Sequence, residues 1–175
     1  NNQLVVLFGD SVMDMRMGGD GAGYDLNVAM EKQNVRVIMI DPRRNEVATN
    51  KGADWIPIRP GTDAALALGM LNVIINEDLY DHEFVDLWCY GFEQLAERVQ
   101  EYPVDKVAEI CGIDADYIKD AARMHANAKP ASIAWGLAFD QKANGMQLSH
   151  CAICLMAITA NLDVPGGQIL GDQSA

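Results

Sequence analysis

Leu4-Val5-Val6-Leu7-Phe8-Gly9, followed after a glycine-bearing loop by Val35-Arg36-Val37-Ile38-Met39-Ile40-Asp41-Pro42, decides the fold. The first run is apolar without alternation and ends at a glycine, as a strand buried on both faces of a parallel sheet does. The second run is again strand-like, and Pro42 stops it by removing a ladder donor and restricting φ. Between them lie Gly18, Gly19, Gly21 and Gly23, whose backbone freedom suits tight turns or close approach of a ligand, and Asp25 to Lys32, which reads as a helix. Strand, helix, strand is one βαβ unit.

Working outward, Trp55-Ile56-Pro57-Ile58 predicts a third, shorter strand at an edge, because Pro57 is tolerated there. Thr62 is a suitable N-cap and Asp63 a favourable first-turn acid for a helix over Ala64 to Ile75, apolar almost all round and so expected to be buried on several sides. Asp81 opens a short helix to Trp88, and Phe92 to Glu101 carries apolar residues at helical spacing until Tyr102-Pro103. Val104 to Cys111 and Asp114 to Ala128 read as a helical hairpin, with Gly112 as stop and Asp114 as cap. Ser132-Ile133-Ala134-Trp135-Gly136 returns to strand, and Asn144 or Gly145 opens a last helix to Ala160. The expected class is α/β: a Rossmann-like parallel sheet of the strands near Leu4, Val35, Trp55 and Ser132, covered by helices, with residues 1–175 forming one compact unit.

Half of the 175 residues are hydrophobic and 22% charged, which excludes a disordered chain. The formal net charge is −12, and residues 61–120 contain fourteen acids against Arg98, Lys106 and Lys119. Such a surface is a poor match for nucleic acid. No apolar run approaches the roughly 20 residues that span a bilayer, so no direct membrane insertion is expected. The start at Asn1 without a Met predicts an excised fragment. Four cysteines in apolar settings do not make a disulfide framework.

Chemistry concentrates in the loops. Strand, glycine loop, helix, strand and then Asp41 is a recipe for a nucleotide: a helix N-terminus offers free N–H groups to phosphate, and an acid after the second strand accepts from ribose. The glycines form no G-x-G-x-x-G, so the NAD fingerprint is absent, and a surface loop with Asp41 starting a turn is the competing reading. Asp63 at a helix start can accept a paired N–H array such as a guanine edge, though plain capping satisfies the same residues. Arg43 and Arg44 suit phosphate or simple solvation. Cys151-Ala152-Ile153-Cys154 has metal or redox spacing beside His150, but lacks a second pair and lies in an apolar helix, where thiols serve as small core residues. No catalytic residue and no metal ligand is assigned, and no Ser/His/Asp or Cys/His constellation is recognisable.

In order, Val37-Ile38-Met39-Ile40-Asp41-Pro42-Arg43 and Trp55-Ile56-Pro57-Ile58-Arg59-Pro60-Gly61-Thr62-Asp63-Ala64-Ala65-Leu66 closely resemble the molybdopterin oxidoreductases of the dimethyl sulfoxide reductase family. Gly91-Phe92, Ala108-Glu109-Ile110-Cys111-Gly112, Trp135-Gly136, Asn144-Gly145 and Leu162-Asp163-Val164-Pro165-Gly166-Gly167 follow that family's landmarks, so the resemblance covers essentially the whole chain. It implies the nucleotide-binding middle region of a catalytic subunit holding molybdenum or tungsten in bis-molybdopterin guanine dinucleotide. By resemblance, Asp63, with Gly61 and Thr62, meets the guanine edge, and Asp41 and Arg43 follow the ribose and phosphates. Gly9, Asp10 and Ser11 approach the pyrophosphate or pterin, and Gln141 and Asn144 face the pterin.

Asp10-Ser11 stands where the family often has Asn-Pro, and a carboxylate there would repel phosphate unless turned away. Leu137 to Gln141 is longer than in sulfoxide and amine-oxide reductases and is similar to branches with hydratases and hydroxyl-removing enzymes. The resemblance implies oxygen-atom transfer of the anaerobic sulfoxide reductase type, as in anaerobic respiration, with a hydratase or dehydroxylase as alternative. It further implies a 4Fe-4S cluster in a preceding segment, an iron-sulfur electron-transfer subunit, a membrane-anchor subunit, and a periplasmic or outer membrane-face location. The chain alone is expected to be inactive. An NAD-dependent dehydrogenase and a non-catalytic Rossmann-like binding module are the competing classes.

Overall fold

The computed structural model describes residues 2–13, 21–50, 53–139 and 141–169; Gly18 and Gly19 lie outside them. Four strands, β1 (Leu4–Phe8), β2 (Arg36–Ile40), β3 (Asp54–Ile56) and β4 (Ala131–Trp135), form one sheet in the order β3-β2-β1-β4. Every pairing is parallel. The class expected from the two apolar runs is therefore the one found, with β3 at the edge.

Alternation along the strands divides two cores. Leu4, Val6 and Phe8 of β1 and Ile38 and Ile40 of β2 point into the larger one. Leu7 of β1 and Val37 and Met39 of β2 point into the smaller, which Leu26 and Met30 of α1 (Ala22–Lys32) and Val47 and Ala48 of α2 (Glu46–Asn50) complete. Helix α2 carries too few turns to show a period and has no counterpart in the sequence reading.

The larger core is built on α3 (Asp63–Asn76), buried from Leu66 to Ile74 on most sides as its uniform apolarity requires. Around it pack α5 (Phe92–Val99), α6 (Val104–Cys111), α7 (Ala115–Asn127) and α8 (Gly145–Ile158), while α4 (His82–Trp88) rests on α8. Asp81 caps α4 by accepting from the Phe84 N–H at 2.9 Å, and Asp114 caps α7 by accepting from Asp116. Gly112 ends α6 at φ +69°, a conformation that favours glycine. Helix α8 stops earlier than expected because Ala160 takes φ +52°.

His125 of α7 is completely buried in this core. Its Nε2 lies 3.4 Å from the Leu155 carbonyl and 3.5 Å from the Thr159 hydroxyl, and its Nδ1 has no partner. Burial lowers its pKa from 6.5 to about 4, with Lys129 adding to the fall against the Leu155 carbonyl, which raises it. The folded state thus keeps His125 neutral while an unfolded chain takes up a proton below pH 6.5. Stability from this residue is intact above that pH and is lost as pH falls towards 4, reaching about 3 kcal/mol. Urea unfolding between pH 7 and pH 5 is expected to show this slope, and His125→Gln to flatten it.

Candidate functional site

Registry places the four strand ends side by side: Phe8 pairs with Ile40 and Trp135, and Ile40 with Ile56. The next residues continue the ladder, the Gly9 N–H donating to Ile40 O at 2.8 Å and the Gly136 N–H to Phe8 O at 3.1 Å. Strand order reverses at β1, flanked by β2 and the late strand β4. In open parallel sheets the crevice outside the carboxyl ends at such a switch point is where ligands bind. All ten residues expected at the site, from Gly9 to Asn144, lie in the loops launched from this edge or at the first turns of the helices they enter.

The loop after β1 turns at Gly9 with φ +55°, and a Cβ there would meet nothing within 4 Å. This backbone fronts open space. Ser11 is buried, its hydroxyl accepting from Arg43 Nη2 at 3.0 Å and Asn45 Nδ2 at 3.1 Å, so it ties the β1 and β2 loops together. Asn45 also accepts from the Ala48 N–H at 3.3 Å, starting α2. Sequence reading missed it, although Asn before a short helix is a capping signal. Asp10 is also buried, and desolvation raises the pKa of its carboxyl. Asp41 closes its own turn by accepting from the Arg43 N–H at 2.7 Å, and its carbonyl accepts from the Trp55 indole at 2.8 Å.

The loop after β3 is set from α6. The Arg59 N–H donates to Cys111 O and its Nη1 to Ile110 O, both at 2.8 Å. A guanidinium at the carbonyl end of a helix is electrostatically favoured. Gly61 then turns at φ +83°, again facing open space. Thr62 occupies the N-cap position of α3 but does not cap through its side chain: its hydroxyl donates instead to Arg59 O at 2.7 Å, tightening the turn. That corrects the capping expected of it, and the reason is local, since the carbonyl three residues back is the nearer partner.

Asp63, in the first turn of α3, is paired with Lys142, which precedes α8. Asn144 donates to Gly61 O at 3.2 Å. The loops of the two outermost strands therefore meet, across strands that span about 14 Å at sheet spacing. They meet because α3 and α8 pack on one another, which sets the two helix N-termini together. Two such termini favour an anionic ligand. Gln141 is exposed on the same loop.

Cys151 and Cys154 lie away from this edge, in a groove of about 580 Å³ between α4, α5 and α8 that also involves Cys89, Trp88, Tyr90 and Ile153. Burial pushes the Cys151 thiol up to about 11 and raises Cys154 as well, the reverse of what a nucleophile or ligand needs. Among the described residues no group of three or more His, Cys, Asp and Glu is placed to hold a metal, and no helix is long and apolar enough to cross a membrane.

A parallel α/β sheet with an open, glycine-turned switch point and two neighbouring helix N-termini has the geometry of a site for an anionic ligand. A family model described as molybdopterin oxidoreductase matches residues 1–171, and the chain belongs to the molybdopterin oxidoreductases of the dimethyl sulfoxide reductase family. It is 53% identical over 148 residues to acetylene hydratase of Syntrophotalea acetylenica, covering 84% of this chain and 20% of the relative. With dimethyl sulfoxide reductase DmsA of Escherichia coli it is 38% identical over 187 residues, 95% of this chain and 23% of the other. The solved acetylene hydratase from Pelobacter acetylenicus superposes with a TM-score of 0.89 at 47% identity, over 97% of this chain and 23% of that one. The chain thus spans about a fifth to a quarter of the length of these relatives. The family implies a molybdenum or tungsten pterin cofactor, and the edge fits such a group: both positive-φ glycines open onto free space, and the polar side chains border it.

Proposed function

We propose that this chain holds the guanine dinucleotide end of a molybdopterin cofactor within a larger enzyme. The observation that carries this is the convergence of Gly9, Gly61, Asp63 and Asn144 on one open edge of the sheet. Asp63 offers a carboxylate to the paired donors of a guanine edge, held in place by the helix start. The turns at Gly9 and Gly61 admit a diphosphate without side-chain obstruction, and Arg43, fixed against Ser11, adds positive charge beside Asp41. When bound, the pterin would supply a molybdenum or tungsten centre able to polarise a substrate or exchange electrons. Gln141 on the α8 loop is assigned to the pterin side.

For the parent reaction, the 53% identity with an acetylene hydratase, against 38% with DmsA, favours addition of water over oxygen-atom transfer. The sulfoxide reductase type is the second reading. Only that second reading calls for an electron-delivering iron-sulfur subunit and a membrane-anchor subunit. In either, a 4Fe-4S cluster belongs to parent segments outside this chain.

Elemental mass spectrometry and acid release of nucleotide from the full-length parent test the first claim, with about one metal atom and about two guanine nucleotides per chain expected. Anaerobic incubation with acetylene is then expected to yield acetaldehyde without any added electron donor. Reduction of dimethyl sulfoxide by a reduced viologen, with no acetaldehyde formed, would select the second reading. A folded parent free of metal and guanine would leave a bare binding module.

A further inference from the structure

Lys142 pairs through its ammonium with Asp63 Oδ2, and both side chains are largely withdrawn from solvent, at 21% and 16% exposure. The place is a costly one for a cation. Lys142 stands two residues before Asn144, the N-cap of α8, and beside the first turn of α3, and helix N-termini repel positive charge. Asp63 offsets that cost. The loop around the pair is fixed separately, by Asn144 donating to Gly61 O and by the packing of α8 on α3. An ammonium has three donors, and among the described residues Asp63 is the one protein acceptor of this one. A carboxylate oxygen accepts two hydrogen bonds, so Oδ2 can take a donor from a ligand while it keeps Lys142.

The pair thus offers an ammonium donor next to the two oxygen acceptors of one carboxylate. The pairing edge of guanine carries the complement in the same order, the O6 acceptor beside the N1–H and 2-amino donors. On this juxtaposition, and resting on the reading of Asp63 given above, we infer that Lys142 is a second base-reading residue. It donates to the guanine O6 while Asp63 accepts from N1–H and the amine. Charge favours the same assignment. A lone carboxylate prefers a cationic partner, whereas the ion pair is neutral as a whole and suits a neutral base. Adenine, with an amine in place of that oxygen, sets donor against donor. Hypoxanthine satisfies Lys142 and leaves one carboxylate oxygen without its donor. The ammonium therefore selects the group at C6 of the purine, and the carboxylate the group at C2.

The probes are GDP, IDP, which lacks the 2-amine, and 6-thio-GDP, whose sulfur is a weaker acceptor than O6. Binding of each to the full-length parent, expressed in a host unable to make the pterin and checked for folding by circular dichroism, is measured by calorimetry for wild type, Lys142→Met, Lys142→Arg and Asp63→Asn. Lys142→Met is expected to weaken GDP and IDP about tenfold more than 6-thio-GDP, the low end for one charge-assisted hydrogen bond. Lys142→Arg, which keeps a charged donor, is expected to retain most of the wild-type preference. An equal fall for all three probes would make Lys142 an attractor of phosphate, and a fall for GDP alone would make it a support for Asp63. Either result overturns the inference and leaves Asp63 in its role, as do three unchanged affinities or a change confined to tighter 6-thio-GDP binding. GDP binding that is undetectable, or indifferent to Asp63→Asn, overturns the base assignment and this inference with it.

Discussion

Replacing Asp63 by Ala in the full-length parent is expected to lower retained guanine nucleotide at least tenfold. Two hydrogen bonds from a base to one carboxylate are each worth about 1.5–3 kcal/mol, and about 1.4 kcal/mol is already tenfold in affinity. The same change removes a first-turn acid and the Lys142 ion pair, costing about 1 kcal/mol of stability. Cofactor loss from partial unfolding is separated by Asp63→Asn, which keeps the shape but turns an acceptor into a donor against the base N–H groups. Acid-released guanine per folded protein should fall in both variants. Unchanged guanine content in both would remove Asp63 from the site.

Gly136→Ala is expected to be the most damaging small substitution at the site. A Cβ at Gly136 would stand 2.2 Å from the Gly9 carbonyl oxygen, 3.1 Å from its carbon and 3.2 Å from Asp10 Cα, all of them backbone. None of these atoms can rotate away as a side chain does, so the ends of β1 and β4 must separate. Overpacking of this kind costs about 1–3 kcal/mol or more, and here it also breaks the Gly136 N–H to Phe8 O bond that continues the ladder. Gly9→Ala is the control: its Cβ meets nothing within 4 Å and the cost is that of φ +55°, about 1 kcal/mol. Urea denaturation should rank Gly136→Ala well below Gly9→Ala. Equal stability of the two would show that the strand ends part without penalty.

Both variants touch contacts whose members are remote in the chain, and that separates what was legible from what was not. The apolar runs at Leu4 and Val35 pointed to parallel strands because they are short, rich in Val and Ile, and closed by Gly or Pro, as strands buried on both faces are. Gly112 and Asp114 marked the α6–α7 turn because helix ends must satisfy orphan backbone groups within a few residues. Asp63 was legible as a helix-start carboxylate on the same ground. Thr62 was misread, since its hydroxyl had two partners within reach and the chain order does not say which is nearer.

Lys142 lay outside the sequence reading because its partner is 79 residues away. Nothing local distinguishes it from a solvated lysine. The close approach of Gly136 to Gly9 was hidden in the same way, as was the tie between Arg43, Asn45 and Ser11. The sequence by itself determined the elements, the α/β class and, through ordered blocks, the family, because these rest on periodicity and on chemistry within a few residues. Only the tertiary structure decided that the loops of the two outer strands meet and that the Asp63 carboxylate is paired with Lys142. Strand order and the packing of α3 on α8 set those distances, and both arise from contacts between segments that no local pattern pairs.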